Sequence, residues 1–244
     1  MHRIWPDPDP RELDDTALTS FYAVADRSVP HLRVNFVTSV DGAVSVDSYS
    51  AGLSGPADKR VFKLLRDLCD ALLVGAGTLR HEGYRPLRFG PERVARRVAA
   101  GVAEQPTLVV VSSRLDVPVE VLAGSAVRPI VLTHAAAPQA GMDALADVAD
   151  VLAFGETSVD LRAGLSALAA RGLIQVLCEG GPHLFGALTA ADAVDEMCLT
   201  LAPLLAGPGC GRITAGPPLP DPRQIALAHA LEEDGNLFLR YVRH

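Results

Sequence analysis

The chain has 244 residues, of which 49% are apolar and 21% charged, a composition that supports a substantial core and argues against wholesale disorder. Its 22 cationic and 29 acidic residues give a net charge of −7, which disfavours a nucleic-acid-binding domain because such domains are basic. No uncharged apolar run approaches the ~20 residues needed to cross a bilayer, and residues 1–10 are rich in Pro and Asp instead of forming an apolar signal segment. We therefore expect neither nucleic acid nor membrane among the partners.

The four cysteines, at positions 69, 178, 198 and 210, include no CxxC pair, and two of them lie in apolar runs typical of strands. We expect free, buried thiols in a reducing cytoplasm, and neither disulfides nor a zinc site. The seven histidines are scattered, and neither HExxH nor the zinc-deaminase motif occurs. The sequence therefore predicts no metal.

Strand and helix patterns alternate along most of the chain. Residues 1–30 are predicted to be an irregular, proline-punctuated leader with a short helix near residues 15–25, and residues 31–244 a single domain. Ser54 and Pro56 predict the capped start of a helix, and the apolar spacing predicts further helices from residue 91, over 159–171 and over 183–190. Strands are predicted at residues 32–38, 71–74, 107–111, 130–133, 151–154, 174–178 and 194–202, followed by a hairpin over 225–242 that turns at Asp234 and Gly235.

This alternation predicts an α/β fold, specifically a three-layer α-β-α sandwich around a mixed, mainly parallel sheet with a C-terminal antiparallel hairpin. Ligands of such sheets bind beyond the carboxyl ends of the strands. Three loops at predicted strand ends carry residues suited to a nucleotide.

The first loop contains Gly75, Gly77 and Thr78. Glycine lets a ligand approach the backbone closely, and N–H groups at the start of a helix can bind phosphate. The dinucleotide motif GxGxxG is incomplete because Arg80 takes the place of its third glycine. An ordinary strand-to-helix turn would carry the same glycines.

The second loop begins with Glu179 at a strand tip, where burying an unpaired carboxylate is costly. Gly180 and Gly181 follow it, and together with Pro182 and His183 they suit a pyrophosphate at a helix start, although a tight turn with an exposed Glu is the simpler alternative.

The third loop is Ser112, Ser113 and Arg114, whose hydroxyls and guanidinium suit the 2′-phosphate of NADP, or form a plain polar turn. Neither the GxxxxGK[ST] phosphate loop nor the GxSxG nucleophile motif is present, which disfavours a P-loop kinase and a serine hydrolase.

Six short motifs in this order resemble the riboflavin-pathway pyrimidine reductases, the reductase domain of the bifunctional deaminase–reductase, whose fold is like that of dihydrofolate reductase. The resemblance covers about residues 32–241, and the deaminase half is absent. The motifs are Ser39-Val40-Asp41-Gly42, Ser54-Gly55-Pro56, Val74-Gly75-Ala76-Gly77-Thr78, Val111-Ser112-Ser113-Arg114, Glu179-Gly180-Gly181-Pro182, and Asp195-Glu196 with Ala202-Pro203-Leu204-Leu205.

The resemblance implies an NADPH-dependent, homodimeric reductase that transfers hydride to C1′ of a phosphoribosylamino-pyrimidine. It places the cofactor contacts at Val37, Thr78, Glu82 and Ser112, and at the turn and helix start of residues 180–187, which contain Gly180, Gly181, Pro182, His183 and Leu184. It places the substrate contacts at Ser50, Ser54, Arg66, Pro86, Arg88 and Glu179.

Glu179 is the first candidate for a catalytic residue, because it can hold the pyrimidine or the ribose and transfer a proton. Asp41 is the second, with the alternative that it only shapes its turn. Arg66 and Arg88 are candidates for the substrate phosphate, or belong to solvated helix faces.

The sequence departs from the family at two places: Asn35 stands in a substrate-binding position where Lys is usual, and Glu82-Gly83-Tyr84 replaces Asp-Asp-Pro. Loss of the Lys charge favours a substrate without a phosphate, so reduction of a pterin such as dihydrofolate remains an alternative. A non-catalytic NADP-binding module is another.

Overall fold

The computed structural model describes residues 1–209 and 211–243. Its strands are β1 (His2–Trp5), β2 (His31–Ser39), β3 (Ala71–Gly75), β4 (Thr107–Val111), β5 (Ile130–Thr133), β6 (Asp150–Ala153), β7 (Gln175–Cys178), β8 (Glu196–Ala202), β9 (Ile225–Glu233) and β10 (Asn236–Arg243). Its α-helices are α1 (Asp15–Tyr22), α2 (Pro56–Leu68), α3 (Ala76–His81), α4 (Pro91–Ala99), α5 (Val119–Ala123), α6 (Gln139–Leu145), α7 (Leu161–Ala170) and α8 (Pro182–Ala190).

The strands form one sheet in the order β1-β9-β10-β8-β2-β7-β3-β4-β5-β6. From β8 to β6 every neighbouring pair is parallel, whereas β10, β9 and β1 add to the β8 edge in antiparallel pairs. Asp234 and Gly235 both have positive φ in the turn between β9 and β10, as a two-residue hairpin turn requires. The predicted mainly parallel sheet with a C-terminal hairpin is confirmed.

Alternate residues of the strands enter two separate cores, because side chains on a strand point to opposite faces. Leu72 and Val74 of β3 pack with the helices from α1 to α6, whereas Ala71 and Leu73 pack with α7 and α8. Helices thus cover both faces, and the predicted three-layer sandwich is confirmed.

The leader, residues 1–30, is less irregular than the sequence predicts. β1 pairs with β9, with Arg3 opposite Leu231, and extends the sheet, while the Asp14 carboxylate caps α1 by accepting a hydrogen bond from Ala17. The buried Glu196 then joins this region to the sheet, because Arg33 and Arg240 both pair with Glu196 and also donate to carbonyls of α1.

Other local predictions also need correction. Gly55, and not Ser54, is the N-cap of α2, and the Ser54 hydroxyl donates to Asp58 instead. The short helices α5 and α6 were not predicted. Cys69, Cys178 and Cys198 are buried and free, as expected, and Cys210 lies outside the described residues.

Two kinds of feature are absent from the described residues, a membrane-spanning helix and a cluster of metal ligands. Over residues 1–209 and 211–243, no helix has the length and apolar character to span a membrane. The same residues contain no group of three or more His, Cys, Asp or Glu side chains placed to hold a metal ion.

Candidate active site

The glycine loops predicted from the sequence meet at one edge of the sheet, because β7, β3 and β4 are neighbours and point the same way. The Gly75 N–H donates to the Gly180 carbonyl at 2.7 Å. A Cβ added at Gly181 would overlap the Thr78 hydroxyl oxygen, so the two turns touch. Ser112 follows β4 at the same edge. All three marked loops are therefore together.

A cleft of about 750 Å³ opens beside these turns, between β2, α2 and the segment after α3. The loop of residues 44–54 forms one of its walls. The cleft brings together most of the residues predicted from the sequence: Asn35, Val37, Ser50, Ser54, Arg66, Gly77, Thr78, Glu82, Pro86, Arg88, Glu179, Gly181 and Pro182.

The other predicted residues lie outside the cleft lining. Gly75 and Gly180 stand behind it in the touching turns, and Leu184 is buried in the core under α8. His183, Ser113 and Arg114 are exposed, whereas Ser112 is buried. This group therefore occupies the rim and the back of the strand-end edge.

Asp41 has a structural task at the end of β2. Its carboxylate accepts hydrogen bonds from the Ser39 hydroxyl and from the backbone N–H groups of Ala206 and Gly207, the latter two at 3.1 and 2.8 Å. These bonds, with that of Ser39 the largest contribution, lower the pKa of Asp41. The contacts agree with the alternative that Asp41 shapes its turn, and they hold residues 206 and 207 beside it.

Glu179 is the buried acidic group at the centre of the cleft, and its side chain is only 2% exposed. Arg66 of α2 pairs with it through two parallel hydrogen bonds, from Nε to Oε1 and from Nη2 to Oε2, each of 2.6 Å. The Arg66 guanidinium also lies 4.2 Å from the centre of the Phe62 ring. Burial lowers the pKa of Arg66, but the charge of Glu179 and its hydrogen bonds with Arg66, together with smaller contributions, outweigh burial, and the net shift is upward. Arg66 is therefore committed to Glu179.

Tyr84 is a functional candidate that the sequence reasoning missed. Its hydroxyl donates to Glu179 Oε2 at 2.7 Å, and its ring centre lies 5.6 Å from the Arg66 guanidinium carbon. Burial, reinforced by the neighbouring carboxylate, raises the pKa of Tyr84 well above its usual value, so the hydroxyl stays a donor. An aromatic residue just after a helix-ending glycine was the only signal available in the sequence.

Asn35 lies beside Glu179 on the next strand. Val34 of β2 is in register with Cys178 of β7, so the residues that follow each of them, Asn35 and Glu179, point to the same face of the sheet. Both line the cleft. The position usually occupied by Lys in the resembling family is thus next to the buried carboxylate.

The loop wall of the cleft is attached to α3. Glu82, predicted to contact the cofactor, accepts hydrogen bonds from the Ser50 N–H and hydroxyl at 3.2 and 3.1 Å. His81 stacks on Tyr49 with ring centres 5.1 Å apart. These contacts fix residues 48–50 against the end of α3.

Cationic side chains lie around the rim of the cleft. Lys59, Arg85 and Arg88 are exposed and line it. Arg88 donates to the Gly124 carbonyl at 3.2 Å, whereas the side chains of Lys59 and Arg85 have no hydrogen bond or ion pair with any described residue. The rim therefore offers cations to an anionic ligand.

The bottom of the cleft depends on a residue of α4, Arg97, that does not itself line the cleft. Arg97 of α4 is 1% exposed, and its Nη1 donates to the carbonyls of Arg66, Asp67 and Cys69 at the end of α2. These carbonyls lack partners within the helix, since the last turn of any helix leaves them free. Arg97 thus supports the turn that carries Arg66.

A nicotinamide dinucleotide fits this edge of the sheet. A Cβ at Gly77 would meet nothing within 4 Å, so packing within the protein does not require glycine there and the backbone is open to a ligand. The N-terminus of α8 begins at Gly181 in the cleft, where helix N–H groups and the helix dipole favour phosphate. Ser113 and Arg114 are exposed after β4, which is separated in the sheet from β7, the strand before α8, by β3 alone.

The family model of the RibD C-terminal domain matches residues 30–235. The chain belongs to this family. The matched range begins one residue before β2 and contains every residue of the cleft lining. The family is one of reductases that use a nicotinamide cofactor.

Individual members of the RibD family show how much is shared. The chain is 32% identical over 180 residues to the 2,5-diamino-6-ribosylamino-4(3H)-pyrimidinone 5′-phosphate reductase of Archaeoglobus fulgidus, which covers 73% of this chain and 82% of the relative. It is 30% identical over 190 residues to the riboflavin biosynthesis protein RibD of Mycobacterium tuberculosis, which covers 77% of this chain but 45% of that longer protein.

Solved structures agree on the fold. A pyrimidine reductase-like protein from Corynebacterium diphtheriae superposes with a TM-score of 0.73 at 26% identity, covering 87% of this chain and 91% of the other. The riboflavin biosynthesis reductase of Saccharomyces gives a TM-score of 0.61 at 15% identity, over 92% and 94% of the two chains, which shows a shared fold alone.

Proposed function

We propose that the chain is an NADPH-dependent reductase of a phosphoribosylamino-pyrimidine in riboflavin biosynthesis, of the 5-amino-6-(5-phosphoribosylamino)uracil reductase type. The observation that carries the proposal is one cleft in which the glycine turns of two neighbouring strands meet the buried Glu179–Arg66 pair. Support comes from the similar archaeal proteins, which are reductases of a phosphorylated ribosylamino-pyrimidinone.

In this proposal Gly77, Thr78 and Gly181, with the N-terminus of α8, hold the pyrophosphate of NADPH. Ser113 and Arg114 hold its 2′-phosphate, because a guanidinium forms strong, charge-assisted hydrogen bonds with phosphate. When bound, NADPH supplies the hydride.

The protein's own contribution is orientation. The reaction reduces the C1′=N bond of the ring-opened sugar: the carbon gains a hydride and the nitrogen a proton. Glu179, held in an ion pair by Arg66, accepts a hydrogen bond from an N–H of the pyrimidine and so fixes the ring in the cleft. Lys59, Arg85 and Arg88 bind the substrate phosphate at the rim. This replaces the earlier assignment of Arg66 to the phosphate.

Reduction of a pterin remains a second candidate because of one observation. Asn35 places a neutral amide beside Glu179 where the family usually has a Lys, so the inner cleft suits an uncharged, flat nitrogen heterocycle. The pterin would share the cofactor site and use the same carboxylate.

An assay that follows the loss of NADPH absorbance with three different substrates separates the pyrimidine reductase, the pterin reductase and the non-catalytic module. We expect turnover with the phosphoribosylamino-uracil or with its 2-amino counterpart, and none with dihydrofolate. Turnover of dihydrofolate alone would replace the proposal with the pterin function. NADPH binding without oxidation by any of the three would leave a non-catalytic module.

We also propose that the protein works as a homodimer, as the family resemblance implies, and that it does so in the cytoplasm. The three buried free thiols among the described residues are compatible with a reducing compartment. Sedimentation equilibrium tests the dimer, and a mass of one chain at micromolar concentration would reject it.

A further inference from the structure

The contacts of Glu179 point to a role for Tyr84, a residue that stands where the resembling family has Pro. We propose that Tyr84 is a positioning residue and that, by fixing the Glu179 carboxylate, it sets how tightly the cleft holds the N–H edge of the pyrimidine. The inference rests on the proposed function and deepens it.

The backbone brings Tyr84 to this place through the end of α3. The Gly83 N–H donates to the Arg80 carbonyl and the Tyr84 N–H to the Leu79 carbonyl, at 3.3 and 3.1 Å, and Gly83 has φ of +63°. This pair of bonds with a left-handed glycine is the Schellman arrangement that ends many helices. It turns the chain sharply and sends the Tyr84 side chain back into the cleft.

The hydrogen bonds of Glu179 leave one acceptor position for a ligand. An ionised carboxylate has about four lone-pair sites. Arg66 Nε fills one on Oε1, while Arg66 Nη2 and the Tyr84 hydroxyl fill the two on Oε2, and no other described residue donates to the side chain. The remaining site is on Oε1, so a substrate N–H has a single place to bind.

Tyr84 and Arg66 do different work in this arrangement. Arg66 supplies the charge that makes burial of Glu179 tolerable, and its two bonds reach both carboxylate oxygens. The Tyr84 hydroxyl reaches Oε2 from a second element, the segment that follows α3, and resists rotation and displacement of the carboxylate. Without it, the Arg66–Glu179 pair persists but is held by one element alone.

Substitution of Tyr84 by Phe tests this role, because Phe keeps the ring over Arg66 and removes only the hydroxyl. A hydrogen bond to a charged group accounts for a change of about 10- to 100-fold in affinity. We expect the KM for the pyrimidine to rise by about 10-fold or more, with kcat reduced less and the KM for NADPH unchanged. Tyr241→Phe is the matched control, because Tyr241 lies on β10, away from the residues that line the cleft.

The outcomes distinguish failure of the proposed function from failure of the role of Tyr84. A wild-type protein that reduces no pyrimidine rejects the proposed function and this role with it. An active wild type with an unchanged pyrimidine KM in Y84F rejects the role of Tyr84 alone, since a side chain that only packs is replaced by Phe without loss. An equal rise of both KM values also rejects it, because the effect is then not confined to Glu179.

Discussion

The buried Glu179–Arg66 pair leads to a prediction in which a second substitution restores part of the lost stability but none of the lost activity. Glu179→Gln keeps the size of the side chain but removes the charge that pairs with Arg66. Breaking a buried ion pair costs about 3–5 kcal/mol. Because the Arg66 side chain is 19% exposed and water reaches it, we expect a loss at or just below the lower end of that range, about 2–3 kcal/mol. At about 2–4 °C per kcal/mol for a chain of this size, Tm falls by about 5–10 °C.

Arg66→Met leaves the opposite charge alone. The Glu179 side chain is 2% exposed and would keep only the Tyr84 hydroxyl as a donor among the described residues, so we expect a larger loss of about 3–5 kcal/mol. In the double variant both charges are gone. We expect it to be at least about 1.5 kcal/mol more stable than the sum of the two single losses predicts.

The activity does not return in the double variant, because the carboxylate that accepts from the substrate N–H is still replaced by a neutral amide. We expect kcat/KM to fall about 100-fold in all three variants, the scale of a misplaced substrate. Urea unfolding and NADPH oxidation measure the two effects on the same samples. Asp150→Asn is the control, since Asp150 pairs with Arg128 and Arg171, all three side chains are more than two-fifths exposed, and each such pair should contribute less than about 1 kcal/mol. Additive stability losses in the Glu179 and Arg66 variants would refute this reasoning.

Three further predictions follow from individual residues. Arg114→Ala should raise the KM for NADPH about 10-fold or more and leave that for NADH unchanged; equal losses would reject the 2′-phosphate contact. Lys59→Ala should raise the KM of the phosphorylated substrate about 10-fold but not that of its dephosphorylated form, and a similar effect on both would remove Lys59 from the phosphate site. Burial lowers the pKa of His229 to about 4, so the unfolded chain takes up a proton before the folded one and stability falls as pH drops from about 6.5 towards 4. His229→Phe, which keeps the ring contact with Tyr22, should spare about 2 kcal/mol of that loss at pH 5 in urea titrations; an identical pH dependence in variant and wild type would contradict it.

Local patterns were sufficient for the interior of the sheet. The run at residues 107–111 predicts β4 with the correct bounds, because five apolar or β-branched residues between Pro106 and Ser112 are typical of a strand covered on both faces. The apolar segments of β3 and β5 are predicted for the same reason. Since parallel strands end at one edge, their order along the chain also predicts that the marked loops converge.

Pairing between distant parts of the chain accounts for what the sequence did not reveal. β1 is four residues of mixed character whose strand conformation depends on β9, more than 200 residues away. The Arg66–Glu179 and Tyr84–Glu179 bonds join residues 113 and 95 positions apart. No spacing rule links such residues, so Arg66 was assigned to the phosphate, and Tyr84 was noted as a departure from the family but not as a site residue. The sequence could propose the residue types of the site but not how they are paired.

Through Arg97, the surface helix α4 affects turnover indirectly, by supporting the end of α2 that carries Arg66. Natural drift or laboratory selection that alters Arg97 would be expected to change kinetics without touching any ligand, because three carbonyls of the α2 terminus would lose their shared donor. A survey of substitutions that change activity would then include Arg97, on a helix of the outer layer. Its effect would reach the active site through one guanidinium, which supports the helix end that carries Arg66.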